Sequence, residues 1–285
     1  MKNMENAFTV LPISQNFTLE PGNTYTGSIT VVNPVSSIND FSYSVSVSPY
    51  SVIGEDYQAD IINTSAFSQI VDWITIKEPT GTLAPNEARE VEFTIKVPDN
   101  AYAGGQYAAI LVSQDTDKQA AEGVSINNVF ALGSIIYADV SGEVTHDSSI
   151  IENNVPEFAT VTPVSVSALL RNDGNVHETA IVAIKATNNI TGEKIFPTEE
   201  NQNNRFSELV MPETTRFISR QIDNLPIVGI VKVEQTIYYG DEVSTATKDL
   251  IICPVWFMLL MSLILFGVIS GIVALFRRRR KKKTI

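Results

Sequence analysis

Cysteine is almost missing from this 285-residue chain, with Cys253 as its single example. That excludes a small disulfide-stapled scaffold. Histidine is nearly as scarce: His146 and His177 are the whole supply, and a zinc site wants three or four ligands. No HExxH, GxSxG, GxxxxGKS/T or GxGxxG sequence occurs, so the motifs of peptidase, esterase, nucleotide-hydrolysing and dinucleotide chemistry are missing. We therefore expect no enzyme activity, no metal and no cofactor. Basic residues are scarce in the body of the chain, where residues 1–249 hold 13 Lys and Arg against 32 Asp and Glu. A region this acidic repels phosphate backbones, which excludes nucleic acid as a partner.

What the chain does have is one long apolar run. Leu250 to Phe276 is LIICPVWFMLLMSLILFGVISGIVALF, 27 residues without a charge. As a helix it would reach roughly 40 Å, enough to cross a hydrocarbon core of ~30 Å. Pro254 falls near the start, where a missing amide donor costs least, and Trp256 is placed as an interfacial anchor. Arg277, Arg278, Arg279, Arg280, Lys281, Lys282 and Lys283 follow at once. Basic residues beside a span favour the cytoplasmic side, which puts residues 1–249 outside and the tail, 277–285, inside. The bilayer is thus the first expected partner. Gly267 and Gly271 form a GxxxG pair, a candidate contact for a homodimer through the helix. An external body needs an export signal, yet MKNMENAFTVLPISQNF contains no apolar run of seven residues. Three readings remain open: a start inside a longer frame, a signal already removed, or a tail-anchored protein. The first two are favoured together.

Before the span the chain reads as short strands broken by turn formers. Phe41, Tyr43, Val45 and Val47 alternate with serines, and Val91, Phe93, Ile95 and Val97 alternate with polar residues. A period of two means strands with one buried face. Further strands are expected at 27–32, 73–76, 106–113 and 129–140, with a short helix near 65–71. Pro21-Gly22, Asn33-Pro34, Pro85-Asn86 and Gly104-Gly105 mark turns, as does Gly174 in Asn172-Asp173-Gly174-Asn175. The glycines are expected to supply positive φ. Residues 164–170, 179–187, 216–222, 229–239 and 243–251 read as strands of a second domain. The expected fold is all-β: a first immunoglobulin-like sandwich over 8–145, a linker over 146–157, a second sandwich over 158–249, and a single membrane helix over 250–276.

Candidate sites are few. Glu55, Asp56 and Asp60 cluster, as do Asp115 and Asp117; each group reads as solvated loop charge or as an oxygen-rich calcium site. Tyr50, Tyr57, Tyr102 and Tyr107 offer aromatic faces suited to sugar, with Tyr107 expected in the core. His177, in a GNVHE turn, is expected to be a structural hydrogen-bonding residue and His146 a solvated one.

Two stretches resemble a known family. Phe8–Pro34 has a strand, a PG turn and a strand ending in Asn, and Leu83–Val112 is LAPNEAREVEFTIKVPDNAYAGGQYAAILV. Later come LLRNDGNVHET, LVMPETTRFI and GIVKVEQTIYYGD. Together with the span and basic tail, over roughly residues 8–285, they resemble the WxL-interacting surface proteins of Gram-positive bacteria. Met211-Pro212-Glu213 departs from the more usual Leu-Pro-Gly. A looser likeness to periplasmic pilus-chaperone domains is one of fold only. The family resemblance implies peptidoglycan association for the first domain and a WxL protein partner for the second. The resulting expectation is a membrane-anchored cell-surface protein that binds a surface protein or a wall polymer, with a non-binding envelope spacer as the alternative.

Overall fold

The computed structural model describes residues 8–114, 131–197 and 204–282, with side chains up to Ala274. The chain is mostly β, with one apolar helix at its C-terminal end. It divides into two compact units. The first comprises residues 1–148 with 171–178 and 210–216; the second comprises 149–170, 179–209 and 217–285.

The first unit contains β1 (Thr9–Leu11), β2 (Ser14–Leu19), β3 (Thr24–Val32), β4 (Phe41–Pro49), β5 (Ser51–Ile53), β6 (Gln58–Asp60), β7 (Ile74–Ile76), β8 (Thr80–Leu83), β9 (Ala88–Lys96), β10 (Gly104–Gln114) and β11 (Ala131–Val140). One sheet runs β1-β3-β9-β7 and the other β2-β11-β10-β4-β8, while β5 and β6 form a separate hairpin. The alternating apolar residues of both sheets meet in one core. Val10, Ile29, Val31, Val91, Phe93 and Ile95 come from the first sheet, and Phe41, Tyr43, Ile110, Val112, Ile136 and Ala138 from the second. Two sheets, each with one apolar face, have bought their stability this way, by burying those faces against each other. Phe8 stacks on Phe41, ring centroids 4.4 Å apart.

The expected short helix is a 3-10 helix over Ala66–Trp73, so Trp73 ends a helix and does not open a strand. Its start is capped from both sides: Ser65 Oγ accepts Phe67 N–H at 3.2 Å, and Ser68 Oγ accepts Ser65 N–H at 2.8 Å. Gly104 has φ of 122°, the positive value expected of it. Gly174 does not. Its need for glycine comes from close approach, because a Cβ there would lie 2.4 Å from Thr145 O.

The later strands are β12 (Ser148–Asn154), β13 (Phe158–Ala159), β14 (Val164–Asn172), β15 (Glu178–Asn188), β16 (Lys194–Phe196), β17 (Arg205–Val210), β18 (Thr214–Ile222), β19 (Gly229–Tyr239) and β20 (Glu242–Ile252). A three-stranded sheet runs β12-β14-β18; a six-stranded one runs β13-β20-β19-β15-β16, with β17 also on β15. The polar stretch read as a linker, 146–157, therefore contains strand β12. An edge strand pairs on one side only, so β12 has a place in the sheet without apolar alternation.

The apolar run also divides differently from its reading as one span. Leu250 belongs to β20, is buried, and alternates with exposed Ile251 and buried Ile252. The helix α1 (Val255–Lys282) starts five residues later, after Cys253 and Pro254. Pro254 cannot extend the strand ladder, and its carbonyl accepts Phe257 and Met258 N–H at 3.0 and 3.1 Å, opening the first helical turn.

Candidate functional site

A concavity lies on the outer face of the β1-β3-β9-β7 sheet. Along each strand the residues that alternate with the core point outward, and here they are hydroxyl-bearing or charged. The register sets Thr26 opposite Thr94, Ser28 opposite Glu92, and Thr75 opposite Thr94 from the other side. With Lys77 they line a groove of about 480 Å³. Lys77 Nζ meets Glu92 Oε2 at 2.7 Å, and Lys77 N–H donates to Glu92 O at 3.0 Å. The Glu92 hydrogen bond and charge raise the Lys77 ammonium above its usual value, and Lys77 holds the Glu92 carboxyl below its own. The lining has neither histidine nor cysteine. It offers donors and acceptors in a row, suited to holding an extended chain rich in hydroxyls or amides.

None of the candidate site residues named from sequence lines this groove. The signal was present: the polar half of the two-residue period in TYTGSIT and REVEFTIK. It reads as a solvated face because local alternation does not say which strands will be neighbours.

Three of the four tyrosines, Tyr50, Tyr57 and Tyr107, are committed to contacts within the protein, with Tyr107 in the interior as expected. Tyr107 is fully buried, and its ring meets Tyr137 and His177 at 5.9 and 5.7 Å. Tyr107 Oη accepts His177 N–H at 2.9 Å. Burial drives the Tyr107 hydroxyl well above its usual pKa, and Tyr137 follows for the same reason. Tyr50 joins at the Tyr137 ring, 6.1 Å away. Tyr57 faces the Arg216 guanidinium at 4.6 Å, accepts Met211 N–H at 2.9 Å, and donates to Thr214 Oγ1, whose own hydroxyl donates to Met211 O at 2.7 Å. That closed circuit commits the hydroxyl protons of both Tyr57 and Thr214. Tyr102 is exposed and outside these contacts.

His146 pairs with Glu178, and His177 sits among the tyrosines with Asp139 Oδ1 at 3.6 Å. In the acidic loop, Asp60 Oδ1 accepts Ile62 and Asn63 N–H at 2.9 and 3.2 Å, and Oδ2 accepts Asn63 Nδ2 at 2.7 Å. The Asn63 amide, then the two backbone donors, hold the Asp60 carboxyl below its usual range. Asp56 takes Gln58 Nε2. Among the described residues no three of His, Cys, Asp and Glu converge on a point. Asp115 and Asp117 lie outside the described residues.

The apolar helix is long and apolar enough to cross a membrane over Val255–Ala274, with mean hydropathy 2.5. Trp256 is exposed in its first turn, and a Cβ at Gly267 or Gly271 would meet only open space. The backbone continues as helix through Arg277, Arg278, Arg279, Arg280, Lys281 and Lys282; their side chains, that of Phe276, and all of Lys283 lie outside the described residues.

No protein-family model matches the chain, and no curated protein matches it. Solved structures of similar course include the class 5 fimbriae chaperone CfaA, 12% identical, with a TM-score of 0.39 over 85% of this chain and 99% of that one. The Escherichia coli chaperone DraB is 10% identical, with a TM-score of 0.36 over 86% and 97%. The PapD-like domain 7 of human CEP192 is 16% identical, with a TM-score of 0.34 over 50% and 92%.

Proposed function

We propose that the chain is a single-pass, membrane-anchored cell-surface protein of the WxL-interacting type. Its β units act as two immunoglobulin-like sandwiches that bind a surface protein or a wall polymer, without catalysis. The observation that carries the reading is the passage from β20 into α1 with only Cys253 and Pro254 between them. A β body joined so tightly to a helix that is uncharged from Val255 to Phe276 is held at the bilayer surface. The basic run that follows the uncharged stretch supports a cytoplasmic C-terminus and external β units. The hydroxyl-lined groove supports recognition of an extended polar chain.

The test is cross-linking on intact cells followed by mass spectrometry of captured proteins, with a parallel binding assay of the full chain in detergent to purified peptidoglycan. Specific recovery of a surface protein, or saturable binding to peptidoglycan, is the expected result. Failure of both would leave the envelope spacer as the better reading.

A further inference from the structure

One end of the second unit is apolar on its outside. In the six-stranded sheet, Ile230 is paired with Ile251, and Ile251 with Phe158 across the other edge. These three neighbours form one outward row and are 39%, 46% and 51% exposed. The next three rows of the same face are Lys232 with Asp249, Glu234 with Thr247, and Thr236 with Thr245. Solvent contact therefore gives way to apolar surface within one pair of residues.

Loops extend this row. Asn189 N–H donates to Ile230 O at 3.1 Å, which brings the exposed Ile190 to the same end. Ile227 and Val161, both exposed, lie three residues from Ile230 and Phe158. The segments that make this end, 158–163, 188–192, 225–230 and 250–254, contain no charged residue. In a body with 13 basic and 32 acidic side chains, four uncharged segments meeting at one end need a reason.

The chain supplies one. Cys253 N–H donates to Ala159 O at 2.9 Å, so the sheet persists to within two residues of α1. Val255–Ala274 spans about 30 Å as a helix, matching a hydrocarbon core of ~30 Å with nothing to spare. Val255 then lies at the hydrocarbon boundary, and Ile252, three residues earlier, is within ~10 Å of it. The interfacial layer on each side is ~5–7 Å deep. The apolar row is tethered at that layer.

We propose that Phe158, Ile190, Ile227, Ile230 and Ile251 form an apolar collar that seats the second unit in the headgroup layer of the bilayer crossed by α1. The collar buries apolar surface in the outer leaflet, and the carboxylate beside it in the chain, Glu157, is paired with Lys248, which limits repulsion from anionic lipid. The proposal rests on the membrane-spanning reading of α1.

The experiment uses the full chain carrying Cys253→Ala, with single cysteines at Phe158→Cys, Ile230→Cys, Asp241→Cys or Ile264→Cys and an environment-sensitive fluorophore. Each is reconstituted into phosphatidylcholine–phosphatidylglycerol vesicles with a quencher either near the headgroup or deep on the acyl chain. Labels at 158 and 230 should be quenched at least twofold more by the shallow quencher than by the deep one. The label at 264 should show the reverse, and that at 241, beyond the far end of β19, neither. Quenching at 264 with labels 158 and 230 behaving like 241 would overturn the collar and leave the anchor standing. No quenching at 264 would overturn the anchor, and the collar with it. Disulfide cross-linking of Ile230→Cys between copies in dilute vesicles, without lipid quenching, would assign the surface to self-association and overturn the proposal.

Discussion

Gln235 and Asn153 lock two sheets of the second unit together. Gln235 Nε2 donates to Asn153 Oδ1 at 2.8 Å and to Ser167 O at 2.9 Å. Asn153 Nδ2 in turn donates to Ser244 O and Oγ at 3.1 Å. Gln235 is 1% exposed, so this network ties β19 and β20 to β12 and β14 from inside the unit. Polar β12 is thereby fastened by side chains as well as by its ladder.

Replacing that amide with a hydrocarbon of similar size, Gln235→Leu, strands an acceptor on Asn153 and another on Ser167. Buried unpaired polar groups cost ~1–3 kcal/mol each way, so a loss of that order is expected. Urea denaturation of the full chain in detergent measures it.

Gly27→Ala tests close packing in the first unit. A Cβ there would lie 2.3 Å from Phe93 Cζ, and that ring is buried against Phe17 and the core. Overpacking should cost ~1–3 kcal/mol, and the double variant with Phe93→Leu should lose less than the sum of the two single changes. Thermal melting of all three separates the terms.

Stability should fall towards acid pH. Lys77 depresses Glu92, Lys248 depresses Glu157, and the Asn63 amide with nearby backbone donors depresses Asp60. A carboxyl depressed in the folded state contributes stability that is complete above its unfolded pKa and is lost as pH falls through the folded value. Asp60→Asn removes one such group and should flatten the decline between pH 7 and about pH 3, read from urea midpoints.

Filling the groove should abolish recognition without harming the fold. Thr26 and Thr94 are exposed, so Thr26→Arg and Thr94→Arg, each made singly because the two face each other across the ladder, should leave the melting temperature near wild type. Binding to whichever partner the cross-linking recovers should fall at least tenfold. Unchanged binding would move the recognition surface elsewhere.

Pairing of the helix through its small residues predicts that Gly267→Ile with Gly271→Ile loses most self-association in a membrane reporter. A wild-type signal from that variant would remove the homodimer contact.

The strand-rich body and the apolar C-terminal helix are legible in the sequence, because a period of two and a long uncharged run are local properties. The span expected at 229–239 is occupied by β19 residue for residue, and Phe41, Tyr43, Val91, Phe93 and Ile95 are in the core where alternation puts them. Tertiary structure decided what composition leaves open. Leu250, apolar enough for a membrane, goes to a strand because Ile252 and Leu250 share a buried face. Serines and asparagines of 148–154 make a strand because an edge position and Gln235 accept them. Tyr107 is committed to packing because Tyr137 and His177, distant in sequence, close around its ring. The groove and the collar exist only through register, which sets Thr94 beside Thr26 and Ile251 between Ile230 and Phe158; no local pattern in those segments encodes which strands will be neighbours.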